Sequence, residues 1–185
     1  MSAVVFLRGV NVGGHRTFRP SLLTGALAHL GVVNVGAAGT FVVREPIGRT
    51  TLKQEFLRAL PFDTEVIVCT GRELQALAAS EPFPARLPQG EVRRFLSVMA
   101  TKPARVPALP LRYPTDAPWQ ITFVAISGVF ACGLWRRRGL GKGLVDPNGV
   151  TEKVLGVRST ARNWNTIEKL RDVLTGPGHE GAGDS

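Results

Sequence analysis

The first half of the chain alternates continuous apolar runs with apolar residues at helical spacing. Residues 3–7 are apolar at every position, which predicts a strand buried on both faces. Leucines and alanines at helical spacing after Pro20 predict a helix that ends at Gly31. Val32–Val35 and Thr40–Arg44 then predict two short strands joined by a glycine-containing turn.

A further helix and strand complete this pattern. Thr51 and Gln54 predict a capping box at the start of the helix, and Glu65–Cys69 predicts the strand. Thr70 and Glu73 predict another capping box, which opens one more helix. The resulting order, β-α-β-β-α-β, is typical of a ferredoxin-like lobe.

Strands dominate the prediction for the second half. Residues 93–100, Arg-Arg-Phe-Leu-Ser-Val-Met-Ala, predict a strand. Five prolines within residues 103–118 exclude a helix or a central strand from that stretch, which we expect to be irregular. Ile121–Ile126 and Val129–Trp135 predict a hairpin that turns at Ser127-Gly128.

Two helices are predicted near the end of the chain. Asp146-Pro147 is typical of a helix start and Gly156 of a helix end. The last helix has a strong apolar stripe, and either Asn163 or Asn165 is expected to be its N-cap residue.

These elements predict an α+β fold of two lobes. We expect a ferredoxin-like βαββαβ N-terminal lobe over residues 1–81, packed on a smaller mixed α/β C-terminal lobe over residues 91–175. The polar, glycine-rich residues 176–185 are predicted to form a disordered tail. Because the strands are apolar at consecutive positions, both faces of each sheet should be covered, by the other lobe or by a second subunit.

The composition predicts a basic surface and reduced cysteines. The 185 residues include 23 Lys and Arg against 14 Asp and Glu, a net charge of +9, which attracts anions such as phosphates and nucleic acids. Cys69 and Cys132 lie inside apolar strand-like runs, so we expect buried, reduced thiols. No secretion signal and no membrane-spanning run is recognisable, so a cytoplasmic location is expected.

The first candidate site is the glycine-rich loop after the first strand. Glycines allow backbone N–H groups to approach an anion, and nearby basic groups add charge. The spacing of Gly9 and Gly14 is that of a P-loop, but His15 and Arg16 stand where lysine and Ser/Thr would bind phosphate and magnesium. We therefore predict a general anion site rather than a P-loop, with the ligand-binding candidates Arg8, Asn11, Gly13, Gly14, His15 and Arg16.

Two further segments could contribute to the same site. Lys142 lies in a second glycine-rich loop, Gly139–Gly143. Arg162 and Asn163 lie where the last helix is expected to begin, and free N–H groups at a helix start attract anions. For all three segments the alternative is purely structural: turns, connections and helix caps that bind no ligand.

The two ends of the chain carry a resemblance to a known family. The opening Leu-Arg-Gly-Val-Asn-Val-Gly-Gly and the closing Thr-Ala-Arg-Asn-Trp-Asn-Thr-Ile-Glu-Lys-Leu are similar to motifs of the bacterial domain-of-unknown-function 1697 (DUF1697) family. The order of elements between them also fits. The resemblance implies an α+β fold with a ferredoxin-like portion, and it implies no activity.

This chain departs from the family pattern at several polar positions. The family usually reads Gln-Ser-Gly-Asn-Val after the second strand, where this chain has Ala37-Ala38-Gly39-Thr40-Phe41. The usual Gly-Gly-Lys is replaced by a sequence with His15, and the usual Gly-Arg-Ser-Lys by one with Gly143. These departures would alter any family site that uses the missing serine, asparagine or lysine.

The sequence argues against several classes of enzyme and predicts no cofactor. Three histidines, far apart in the chain, do not form a metal-binding spacing, and neither a serine-hydrolase elbow nor a dinucleotide-binding glycine pattern is present. An RNA-recognition module would stack bases on aromatic residues of its central strands. Phe6 and Phe41 are the aromatic residues available there, and Phe6 lies in a run predicted to be buried.

Three functional hypotheses follow from the sequence. The first is binding of a phosphate-bearing ligand, a nucleotide or nucleic acid, in a basic cleft between the lobes. The second is a small enzyme that uses His15 as a general acid or base. The third is a homo-oligomeric or partner-binding protein that docks through the proline-rich residues 103–118.

Overall fold

A computed structural model describes residues 2–10, 18–116, 118–136 and 145–176. Within these residues the chain forms nine strands in two antiparallel sheets, together with five α-helices. The strands are β1 (Ala3–Leu7), β2 (Val32–Gly36), β3 (Thr40–Val43), β4 (Val66–Thr70), β5 (Val92–Met99), β6 (Leu111–Tyr113), β7 (Ile121–Ser127), β8 (Phe130–Arg136) and β9 (Ser159–Asn163). The helices are α1 (Pro20–Ala26), α2 (Arg49–Ala59), α3 (Gly71–Ala79), α4 (Pro147–Leu155) and α5 (Trp164–Thr175). The predicted α+β class is confirmed.

The chain divides into two compact units. One contains Met1–Ala78 together with Thr166–Ser185, and the other contains Ala79–Asn165. Most of α5 therefore belongs to the first unit, although the strand that precedes it belongs to the second. The division into one lobe over residues 1–81 and another over residues 91–175 stays a prediction.

The first unit contains the sheet β2-β3-β1-β4, in which all neighbours are antiparallel. With α1 between β1 and β2 and α2 between β3 and β4, the element order is the predicted β-α-β-β-α-β. One face of the sheet packs with both helices in a core of apolar side chains, which include Val5, Leu7, Phe41, Leu23, Leu27, Leu52 and Phe56.

The opposite face of this sheet is buried as well. Val4 and Phe6 of β1, Val42 of β3 and Cys69 of β4 are almost completely inaccessible to solvent. Because the pleat sends alternate residues to opposite faces, the continuous apolar run of β1 is explained by burial on both sides. The prediction that both faces of the sheet are covered is confirmed for the central strands. Because these side chains are already buried within a single chain, no second subunit is needed to cover them.

The second unit contains the sheet β6-β7-β8-β5-β9. On one face, Phe95 and Met99 of β5 pack with Phe123 of β7 and with Val150 and Leu155 of α4. The hydroxyls of Ser97 on β5 and Thr151 on α4 are 2.8 Å apart and form a buried hydrogen bond within this layer. The helix α4 begins and ends as predicted: Asp146 accepts bonds from two backbone N–H groups, and Gly156 is left-handed.

One of the two predicted capping boxes is present and the other is wrong. Thr70 and Glu73 bond each other's backbone N–H groups, with distances of 2.7 and 3.1 Å. In contrast, α2 begins at Arg49, and Gly48 is its N-cap residue without a side-chain bond. Thr51 is therefore already inside the first turn, where its hydroxyl cannot act as the N-cap acceptor.

Two short strands were not predicted. β6 lies inside the proline-rich stretch, between Pro110 and Pro114, and the prolines are tolerated because β6 is an edge strand that pairs with β7 alone. β9 has the largely polar sequence Ser-Thr-Ala-Arg-Asn, which gave no strand signal, and it is the opposite edge strand, paired with β5. Of the two N-cap candidates, Asn163 immediately precedes α5 and Asn165 lies inside it.

Gly71, the first residue of α3, provides a test of packing in the first unit. A Cβ at this position would lie 2.6 Å from Ser2 Oγ and 2.9 Å from Leu174 Cδ2. We expect Gly71→Ala to lower the free energy of unfolding by about 1–3 kcal/mol in urea denaturation. The control is Gly25→Ala in α1, where nothing lies within 4 Å and the better helix former should stabilise by up to about 1 kcal/mol. A Gly71→Ala protein as stable as the wild type would contradict this packing.

Candidate anion-binding site

The best-defined predicted site residue is Arg162, in the edge strand β9. Its side chain is only 6% exposed. Its Nη1 donates hydrogen bonds to Thr160 Oγ1 at 2.7 Å and to the Ala161 carbonyl oxygen at 2.8 Å. Burial lowers the pKa of Arg162 to about 10. Since this value is still far above 7, the second sheet holds a buried, positively charged guanidinium at neutral pH.

The strand register places two more arginines on the same face as Arg162. Arg162 is opposite Leu96 of β5, and Arg94 lies two residues earlier in that strand. Arg136 of β8 is opposite Val92, again two residues earlier on β5. Paired residues, and residues two apart in a strand, project to the same side of a sheet.

We name Arg94, Arg136 and Arg162 the arginine face. They come from three adjacent strands, β5, β8 and β9. Arg94 is a diagonal neighbour of both Arg136 and Arg162, and such neighbours have Cα atoms about 7–8 Å apart. Arg136 and Arg162 are farther from each other, because they pair with β5 residues four positions apart, on its two sides. Arg94 can therefore share one multivalent anion with a neighbouring arginine.

Aromatic rings orient two of these guanidinium groups. Arg136 Cζ lies 3.9 Å from the centroid of the Trp119 ring, and Arg94 Cζ lies 5.6 Å from that of Phe83. Phe83 in turn packs edge-on against Trp164, with centroids 4.7 Å apart. A guanidinium that stacks through its flat face keeps its N–H donors in its own plane, directed sideways.

The same face also buries hydroxyl groups. Thr122 of β7 is opposite Leu134, which is opposite Arg94, so its side chain shares the side of the arginine face. Its Oγ1 is buried and has no hydrogen-bond partner among the described residues. A buried, unbonded hydroxyl costs about 1–3 kcal/mol. Thr122 thus adds a polar group to a side of the sheet that also buries Leu96, Cys132 and Leu134.

The other predicted site residues are only partly described. Arg8 directly follows β1 and is half-buried. Its backbone N–H donates to the Glu65 carbonyl oxygen at 3.0 Å, and its own carbonyl accepts from Thr64 Oγ1 at 2.5 Å. Asn163 is next to Arg162 in β9, so it projects to the opposite face, and it is exposed. The candidates outside the described residues are Asn11, Gly13, Gly14, His15, Arg16 and Lys142.

The departures from the family pattern fall beside the end of β1. The Leu7 N–H donates to the Gly39 carbonyl oxygen at 2.8 Å, in the turn between β2 and β3. Gly39 has φ +73°, and a Cβ there would lie 2.6 Å from Val10 and 2.9 Å from Leu7 side-chain atoms. This close approach requires glycine. The exposed Ala37 and Ala38 occupy the same turn, where the family usually has glutamine and serine.

Sequence reasoning missed Arg94, Arg136 and Trp119. Arg94 lies near the start of the strand predicted at residues 93–100, and Arg136 directly follows the run predicted to end at Trp135, so their basic character at strand ends was the available signal. However, the register that brings three strands together is set by pairing between distant segments, which a single sequence does not specify.

Two cavities in the first unit lack this concentration of charge. One, of about 600 Å³, is lined by Phe18, Arg19, Leu22, Leu23, Ala59 and Pro61. The other, of about 440 Å³, has Cys69 and Arg49 in its wall, and Arg49 forms a 2.7 Å ion pair with Glu73. Burial raises the pKa of the Cys69 thiol to about 12, and the Glu73 carboxylate adds to the rise.

The described residues also bear on metal and membrane binding. In residues 2–10, 18–116, 118–136 and 145–176, no three His, Cys, Asp or Glu side chains are grouped as metal ligands. Within the same ranges, no helix has the length and apolarity needed to cross a membrane. Phe6 and Phe41 are fully buried, so they cannot stack bases in the manner of an RNA-recognition module.

The chain is an α+β protein, and its first unit has a ferredoxin-like element order. Residues 1–122 match the family described as "Protein of unknown function (DUF1697)", and the chain belongs to this family. The opening motif lies within the matched residues and the closing motif, with Arg162, lies beyond them.

A solved structure supports the fold. A conserved bacterial protein from Streptococcus pneumoniae superposes with a TM-score of 0.58 at 15% sequence identity, over 94% of this chain and 98% of that one. At this identity the likeness concerns the fold alone. No curated protein matches the chain.

The two cysteines give a test of burial. Burial also raises the pKa of Cys132 to about 12, so at pH 8 about one thiol in 10⁴ is a thiolate. We expect neither Cys69 nor Cys132 to react with a disulfide reagent in the native protein, and both to react once guanidinium unfolds it, as followed by absorbance. Rapid labelling of either native thiol would show that its strand is accessible.

Proposed function

We propose that this protein binds a phosphate-bearing ligand, a nucleotide or a nucleic acid, through the arginine face. The observation that supports the proposal most directly is the register of β8, β5 and β9, which gathers Arg136, Arg94 and Arg162 on one side of the sheet.

Electrostatics favours an anion at this position. The three arginines carry charges of the same sign on one side of the sheet. A phosphate group is attracted to such charges, and it accepts paired N–H donors from arginine. The net charge of +9 adds a long-range attraction for polyanions.

Arg162 and Arg136 differ in accessibility, and this suggests different contributions. Arg162 is buried and tied to Thr160 and Ala161, so it supplies a fixed charge inside the unit. Arg136 is half-buried and held by Trp119, so its donors are the more accessible ones. The predicted loop after β1, which Arg8 precedes, remains a proposed second source of positive charge.

Binding of labelled probes tests the proposal. The probes are a fluorescent adenine nucleotide and a labelled single strand of about 12 nucleotides, a length within the usual site sizes of single-strand binding proteins. Fluorescence anisotropy is measured between roughly 50 and 200 mM salt, over which affinity should fall steeply if phosphates dominate. We expect Arg136→Gln to raise the Kd of whichever probe binds about tenfold, since one charge-assisted bond stabilises by about 1.5 kcal/mol or more.

The matched control is Arg105→Gln. Arg105 is exposed in the connection between β5 and β6, and its substitution changes the net charge equally. If the strand is bound, Arg136→Gln should also lower the slope of log K against log salt by about 0.7, the loss of one phosphate contact. The proposal is wrong if neither probe binds at low salt, or if the two variants weaken binding equally.

A further inference from the structure

Trp119 and Arg136 form the best-positioned stack of the arginine face. The Gln120 N–H donates to the Tyr113 carbonyl oxygen, and the Arg136 N–H donates to the Gln120 carbonyl oxygen, both at 2.8 Å. Gln120, the residue after Trp119, is therefore hydrogen-bonded to both β6 and β8. The indole is held in place before any ligand arrives, which reduces the entropic cost of binding.

We propose that the ligand of the arginine face is single-stranded nucleic acid, with one base stacked on the Trp119–Arg136 pair. This inference rests on the proposed function and names its ligand class. Both tryptophan rings and guanidinium planes stack on unpaired bases, while neighbouring arginines bind the phosphates. Trp119 and Arg136 are each half-buried, so the pair retains accessible surface.

A second aromatic–cation pair lies on the same side of the sheet. Phe83 is half-buried, and Arg94 Cζ lies 5.6 Å from its ring centroid; Arg94 is diagonal to Arg136 across β5 and β8. Two aromatic rings, each beside an arginine, match the alternation of bases and phosphates in a single strand.

A duplex or a bare polyanion would not use this arrangement fully. Bases in a duplex are already paired and stacked, so their faces are not available to Trp119. Inorganic polyphosphate has charge but no ring to stack. The inferred site therefore predicts a preference for the single strand that depends on the indole and not on charge.

The experiment compares three probes with the full-length protein. They are oligothymidylate of about 12 nucleotides, the duplex it forms with oligoadenylate, and inorganic polyphosphate as a competitor. We expect Trp119→Leu to raise the Kd for oligothymidylate about tenfold, within the range for loss of one base–aromatic stack. The Kd for polyphosphate should rise much less, because Arg136 keeps its charge and loses only the ring that orients it. Trp119→Phe, which keeps an aromatic ring, should restore most of the affinity.

Tryptophan emission gives a second readout that does not need Trp119→Leu to fold. Stacked thymine quenches indole fluorescence, and the protein has three tryptophans. Oligothymidylate should quench the wild type and a Trp135→Phe control, and quenching should be lost in Trp119→Phe. Polyphosphate should quench neither the wild type nor the Trp135→Phe control.

The outcomes separate this inference from the proposed function. If polyphosphate and oligothymidylate bind, and Arg136→Gln weakens both while Trp119→Leu weakens neither, the arginine face stands and base stacking is overturned. Equal affinity for the duplex and the single strand also overturns it. If no probe binds at low salt, both proposals fail.

Discussion

The register between β8, β5 and β9 is the constraint on which the site depends. In an antiparallel sheet a shift of one residue moves every side chain to the other face. Leu96 faces both Cys132 and Arg162, so the same register that buries a leucine and a thiol also determines the side on which Arg162 lies. The apolar core of the sheet thus fixes the positions of the charges.

A buried guanidinium is costly, and β9 contains the groups that make it tolerable. Thr160 lies two residues before Arg162 on the same face, and its hydroxyl accepts from Nη1, as does the Ala161 carbonyl. These bonds replace part of the lost hydration. Because the side chain is held at its own strand, its charge does not depend on a flexible surface conformation, and its position is fixed inside the unit.

Much of the fold could be predicted because its signals are local. The apolar run of β1 and the reciprocal bonds of Thr70 and Glu73 depend on neighbouring residues. The same capping pattern failed at Thr51, since the N-cap residue of α2 is Gly48, three residues nearer the N-terminus. β9 was missed because pairing with β5, rather than its own polar sequence, makes it a strand. Long-range pairing also explains why Arg94 and Arg136, which share a sheet face with Arg162, were not predicted.

The basic composition, the arginines on one side of the second sheet and the aromatic rings beside them support the proposal of one surface for phosphate-bearing ligands. Its most direct test is an NMR titration of the arginine Nε–Hε resonances with oligothymidylate at low salt. We expect the resonances of Arg136 and Arg94 to shift together at the first additions, while that of Arg58, an exposed residue paired with Glu55 in α2, stays in place. Shifts at Arg58 with none at Arg94 or Arg136 would show that nucleic acid binds elsewhere on this protein.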